Sequence, residues 1–165
     1  MSPKTLIISL IVFLSVIIGL AFLLTSGQKP APAAVSFAAQ DADRPQAETS
    51  QTFFDLGEIK VSEVKQQDYT LKNAGTQPLQ ILNINSSCGC TAGQIIYQDE
   101  TSKEYSMHAQ SGFVTEIAPG DTAIVRLTYR PATMPVYGVV TREVYVTTND
   151  PQNEKLVFSI KAKVK

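Results

Sequence analysis

Residues 155–164 read Lys-Leu-Val-Phe-Ser-Ile-Lys-Ala-Lys-Val. Leu156, Phe158, Ile160, Ala162 and Val164 take alternate positions, and Lys155, Ser159, Lys161, Lys163 and Lys165 take the others. Successive side chains of a strand point to opposite faces, so this alternation predicts a strand with one face in a core and one in water. Only Val157 interrupts the polar row. The repeated lysines predict an edge position, where positive charge discourages pairing with another chain.

The same period recurs upstream. Ala123, Val125, Leu127 and Tyr129 alternate with Thr122, Arg126, Thr128 and Arg130, interrupted by Ile124, and Val140, Val144 and Val146 share a face opposite Thr141, Glu143 and Thr147. Turn chemistry separates the runs at Asn73-Ala74-Gly75, Pro119-Gly120-Asp121 and Asn149-Asp150-Pro151, with Gly57 and Gly89 as further turn positions. Strands are predicted near 52–56, 59–62, 66–73, 78–86, 113–117, 121–130, 138–148 and 155–164. Over residues 52–165 the strand formers Val, Ile, Thr, Tyr and Phe far outnumber Ala, Leu and Met. Seven to eight short strands without an amphipathic helix predict an all-β domain, a sandwich rather than a partly open barrel.

The amino-terminal part is of another kind. Thr5 to Thr25 reads TLIISLIVFLSVIIGLAFLLT and carries no charge. As a helix it would be about 31 Å long, matching a hydrocarbon core of roughly 30 Å. A cleaved signal peptide is the competing reading, since Lys4 and the amino terminus form a small positive region and small-residue sites follow at Ala31-Pro32-Ala33 and Ser36-Phe37-Ala38. The apolar run is longer than such a leader needs, which favours an uncleaved anchor over residues 1–25. Lys4 before the run and Lys29 after it leave the charge rule almost tied, and the short leading segment favours the amino terminus inside. Residues 26–51 hold Pro30, Pro32 and Pro45 and several alanines, sustain no apolar period, and read as a linker.

Fourteen basic residues against 15 acidic ones argue against a nucleic-acid partner. The single histidine, His108, and the absence of a Gly-x-Ser-x-Gly elbow or a phosphate-cradling glycine loop argue against an enzyme. The two cysteines, Cys88 and Cys90, flank Gly89, which permits a tight turn between them. Three chemistries fit the pair. A disulfide over a one-residue gap gains little from loop closure. Two convergent thiolates suit copper or zinc, with Met107 and His108 in the following loop as further ligands. Thiol–disulfide exchange is the third, although it more often uses Cys-x-x-Cys opening a helix.

The ordered series Phe54-Asp55-Leu56-Gly57-Glu58-Ile59, Leu71-Lys72-Asn73-Ala74-Gly75, Pro78-Leu79-Gln80-Ile81, Ser87-Cys88-Gly89-Cys90-Thr91, Ile117-Ala118-Pro119-Gly120-Asp121 and Thr148-Asn149-Asp150-Pro151 resembles the bacterial domain-of-unknown-function family 1573. The resemblance implies an immunoglobulin-like sandwich and export, hence a single-pass protein of the cytoplasmic (inner) membrane whose domain is extracytoplasmic, in the periplasm. The 25 residues between Thr91 and Ile117 form a longer insertion than the family leads one to expect. The expected role is a non-catalytic binding or scaffolding module meeting envelope proteins through strand edges or the 92–116 loop, with copper binding and thiol–disulfide exchange as alternatives.

Overall fold

Ser2 and Pro3 suit a helix start, because the serine hydroxyl accepts the Thr5 N–H at 3.4 Å and proline lacks an amide that the first turn would leave unpaired. Helix α1 (Pro3–Thr25) follows, apolar on every side. Its hydroxyls are satisfied within the helix, Ser9 donating to the Leu6 carbonyl at 3.0 Å and Ser15 to the Val12 carbonyl at 2.8 Å. Over Pro3–Leu24 it is long and apolar enough to cross a membrane. The structure, a computed structural model, describes residues 2–25, 32–109 and 112–165. Linker positions 26–31 and Gln110-Ser111 of the 92–116 loop lie outside them. The chain divides into two units, Met1–Pro32 and Ala33–Lys165.

The second unit is built of β1 (Ala47–Glu48), β2 (Phe53–Ile59), β3 (Lys65–Asn73), β4 (Leu79–Ser86), β5 (Thr91–Tyr97), β6 (Glu100–Thr101), β7 (Thr115–Ile117), β8 (Thr122–Tyr129), β9 (Gly138–Thr148) and β10 (Lys155–Val164). One sheet has the order β1-β3-β8-β5-β6 and the other β2-β10-β9-β4-β7. The predicted alternation becomes the core between them: Val125 and Tyr129 of the first sheet and Val144, Val146, Phe158 and Ile160 of the second are fully buried. Tyr69 crosses the core, packing on Phe158 at 5.2 Å between ring centroids and donating its hydroxyl to the Ser159 carbonyl at 2.7 Å.

Four expectations are corrected here. Strand β10 is not an edge strand, for it pairs with β9 on one side and, in parallel, with β2 on the other. Its lysines answer acids on β2: Lys161 meets Asp55 at 3.3 Å, Lys163 meets Glu58 at 2.8 Å, and Lys165 also pairs with Glu58. Those two lysines hold the Glu58 carboxyl down to about 2, well below its ordinary 4.5. The two short strands expected at 52–56 and 59–62 are one strand, β2, bulged where Gly57 takes φ +68° and its N–H donates to Asp55 Oδ1 at 2.9 Å.

The stretch expected as a loop over 92–116 supplies β5 and β6, while β7 lies on the strand predicted near 113–117. Strand β5 is an interior strand of its sheet, between β8 and the edge strand β6. The linker expected over 26–51 is also shorter than its composition suggests, since residues from Ala33 belong to the second unit. Within it Ala47 and Glu48 pair with Asn73 and Lys72, and Val35 donates its N–H to Gln80 Oε1 at 2.9 Å.

Candidate functional site

Two ends of the sandwich collect the singled-out residues, and they do different things. At one end the turn residues Asn73, Gly75, Pro119, Gly120, Asn149, Asp150 and Pro151 hold loops together. Asn73 Oδ1 accepts the N–H of Gly75 at 3.0 Å and of Gln46 at 3.3 Å, while its amide donates to the carbonyls of Gln77 and Ile117 at 2.8 and 3.0 Å. Asn149 Oδ1 accepts the Gln80 N–H at 2.8 Å. Asp150, wholly buried, pairs with Arg44 at 2.9 Å and accepts the N–H groups of Ala47 and Gln152 at 2.9 and 3.0 Å. These bonds tie the loops of this end to one another.

The other end carries the cysteines. Strand β4 finishes at Ser86, β8 finishes at Tyr129 opposite Thr91 and Lys65, and β10 finishes at Val164 opposite Gly138. The turn joining β4 to β5 is fixed by its backbone: Ser87 N–H donates to the Glu143 carbonyl at 3.0 Å, Thr91 N–H to the Cys88 carbonyl at 3.2 Å, and Arg130 N–H to the Cys90 carbonyl at 2.8 Å. Cys88 and Cys90 are joined in a disulfide with Cα atoms 5.3 Å apart. Cys90 is buried in the core, whereas Cys88 is half-buried between exposed Ser87 and Gly89. Thr91 Oγ1 lies 3.3 Å from Cys88 Sγ and 3.8 Å from Cys90 Sγ.

The residues proposed as further ligands fall elsewhere in the loop. Met107 and His108 are exposed and follow Tyr105, which is bridged to Gly93 by a reciprocal pair of backbone bonds of 2.9 Å. Among the described residues no group of three or more His, Cys, Asp or Glu side chains forms, so His108 is not brought together with the two cysteines. The sulfur that lies against the turn belongs to Met134, whose Sδ is 3.7 Å from where a Cβ on Gly89 would stand.

Two residues beneath this end escape the strand pattern. Among the described residues, two buried side-chain polar atoms lack a partner, Tyr129 Oη and Arg142 Nε. The Arg142 guanidinium stands 5.7 Å from the Tyr129 ring centroid. The sequence held the signal for Arg142: it lies between Val140 and Val144 on the apolar face of β9, where strand parity turns its side chain inward. An unpaired buried hydroxyl destabilises a fold. Tyr129→Phe is therefore expected to stabilise the chain by on the order of 1 kcal/mol, read as a higher urea midpoint with unchanged slope.

Above this pair the chain turns outward. Residues 132–139 are all exposed and carry no charge, and within them Met134, Val136, Tyr137 and Val139 are 49%, 46%, 65% and 65% exposed. These side chains form a run of exposed apolar residues in the sequence. It passes beside the disulfide through Met134.

Fold and site together define a two-sheet β-sandwich module with a short-loop disulfide and an apolar loop at one end. The chain belongs to the DUF1573 family of proteins of unknown function, whose profile matches residues 47–164. No curated protein matches it in sequence. Among solved structures it is similar to a protein of unknown function from Porphyromonas gingivalis W83, with 20% identity over 74% of this chain and 48% of that one and a TM-score of 0.57. It thus spans about half the length of that protein. A family 123 glycoside hydrolase from Clostridium perfringens shares the layout at 9% identity over 68% of this chain and 22% of that one, with a TM-score of 0.51. The ASH / PapD-like domain 7 of human CEP192 aligns at 13% identity over 84% and 97% of the two chains, with a TM-score of 0.46. The first two likenesses bear on the fold alone.

Proposed function

We propose that the chain is an immunoglobulin-like binding or scaffolding module of the cell envelope, held to the cytoplasmic membrane by α1 with its sandwich on the extracytoplasmic side. The exposed apolar run 132–139, which passes from the β8–β9 connection into the start of β9, is the observation that carries this reading. A soluble domain that meets only water has no use for Met134, Val136, Tyr137 and Val139 exposed in one uncharged run. The helix over Pro3–Leu24, without charge from Thr5 onward, supports the anchor. The partner is a protein that presents an apolar surface.

A photo-crosslinking side chain placed at Tyr137 in the full-length protein in cells tests the reading. The expected result is a discrete higher-mass adduct with an envelope protein, and none from the same group at Thr70, which is exposed on β3. Equal labelling at both positions, or none at Tyr137, overturns it.

A further inference from the structure

The disulfide has three properties that a structural bond need not have. It closes a loop of one intervening residue, which restricts the unfolded chain very little and so adds little stability. The turn does not need it, because the backbone bonds from Ser87, Thr91 and Arg130 hold its shape, and the Glu143 N–H donates to Ser87 Oγ at 3.0 Å besides. The two cysteines are also unequal: Cys90 is 2% exposed, while Cys88 is half-buried between two exposed residues. An accessible sulfur joined to a sheltered one, in a frame that survives their separation, suits a bond that opens and closes.

We propose that Cys88–Cys90 is an exchange-active disulfide that oxidises a thiol pair on a partner protein, the partner's apolar flanking residues being held by Met134, Val136 and Tyr137. A partner thiolate attacks Cys88 Sγ. The Sγ–Sγ bond breaks, its electron pair leaves on Cys90 Sγ, and that thiolate takes up a proton. The partner's second thiolate then attacks its own sulfur in the mixed disulfide and expels Cys88 as a thiolate, which is protonated in turn. The partner dithiol has lost two electrons and two protons to become a disulfide, and the cysteine pair has gained them as a dithiol. The hydroxyl of Thr91, 3.3 Å from Cys88 Sγ, is placed to donate to the thiolate formed there. The apolar loop beside the turn supplies what a bare disulfide lacks, a surface on which a peptide segment can rest.

This inference rests on the binding reading for its partner class, and on the cysteines alone for its chemistry, so the two are tested separately. With full-length protein in detergent, the bond is expected to be reduced and re-formed reversibly in glutathione buffers, as trapped by a thiol-alkylating mass tag. A bond that stays oxidised in fully reduced glutathione overturns the exchange. Cys90→Ser, which leaves Cys88 free, is expected to react with Ellman's reagent at least about tenfold faster than Cys88→Ser, which leaves the sheltered Cys90. Equal or reversed rates overturn the assignment of Cys88 as the attacked sulfur.

The double variant Cys88→Ser/Cys90→Ser is expected to melt within a few degrees of the parent, as a turn held by its backbone requires; unfolding of this variant overturns the claim that the bond is free to open. For the partner class, a dithiol peptide flanked by apolar residues is expected to be oxidised several-fold faster than one flanked by acidic residues. Tyr137→Asp is expected to abolish that preference, whereas Thr70→Asp, on the exposed face of β3, is expected to leave both the preference and the Ellman rate of Cys90→Ser unchanged. Equal rates for the two peptides overturn the apolar partner while exchange with small thiols stands, and failure of the Tyr137 crosslink alone removes the envelope partner without touching the sulfur chemistry.

Discussion

Asp150→Ala is expected to lower the stability of the sandwich by about 3–5 kcal/mol, the loss typical of removing one partner of a buried ion pair. The carboxylate is wholly buried and makes its 2.9 Å ion pair with an Arg44 side chain only 10% exposed. Truncation leaves that guanidinium inside the protein with Gln152 Oε1 at 2.8 Å and the Pro45 carbonyl at 3.2 Å, neither of which balances its charge. It also orphans the N–H groups of Ala47 and Gln152 and the amide of Asn153, which donates to Asp150 Oδ2 at 2.9 Å. Urea unfolding reads the loss as a lower midpoint. The double variant Arg44→Met/Asp150→Leu is expected to be closer to the parent than Asp150→Ala, because it leaves no unpaired charge behind. If Asp150→Ala matches the parent within about 1 kcal/mol, the carboxylate does not hold the segment around Arg44 in place.

The same contact fixes where the folded unit begins. A fragment starting at Ala33 keeps Arg44 and β1, whereas one starting at Thr52 buries Asp150 without its cation and strips β3 of its β1 neighbour. The shorter fragment is expected to share the instability of Asp150→Ala. Nothing local announces this in the sequence. Arg44 stands among alanines and prolines without an apolar period, and its partner lies 106 residues away. A period-based reading finds elements that bury their own face, and β1, two residues long and held by side-chain bonds from elsewhere, buries too little to leave a pattern.

Longer strands were legible for the converse reason. Strands β3, β8, β9 and β10 follow the predicted runs closely because each alternates between more and less buried positions over most of its length, and β4 follows its run although Leu79, Gln80 and Ile81 are all buried. The lysines of β10 misled about its place because charge on a solvent face is compatible with an edge strand and equally with an interior strand whose neighbour supplies acids, here Asp55 and Glu58. Of the candidate site, Cys88 and Cys90 were legible from residue type and spacing. Met134 was not, because it is separated from Gly89 by 44 residues of chain and reaches the turn only through the β8–β9 connection.

Strand β5 escaped prediction because Gly93, at its centre, has no side chain to mark a face, and that absence leads to the second large effect. Gly93→Ala is expected to destabilise the sandwich by about 1–3 kcal/mol. A Cβ there would stand 2.5 Å from Val144 Cγ1 and 2.8 Å from Ile84 Cγ2, both in the buried core of the opposite sheet. The entropy that alanine removes from the unfolded chain returns only about 0.4–1 kcal/mol, so the overlap decides the sign. The backbone of Gly93 is also committed, bonded in both directions to Tyr105 at 2.9 Å, so the strand cannot retreat without releasing the insertion it anchors. Gly89→Ala is the matched control, since its Cβ meets only Met134 Sδ at 3.7 Å, an ordinary contact with a flexible side chain. Val144→Ala added to Gly93→Ala removes the nearest clash and is expected to recover part of the loss, so that the pair costs less than the sum of its members. If Gly93→Ala and Gly89→Ala melt alike, the two sheets do not meet at Gly93 as closely as a Cβ-sized gap, and β5 does not owe its place in the sandwich to that missing side chain.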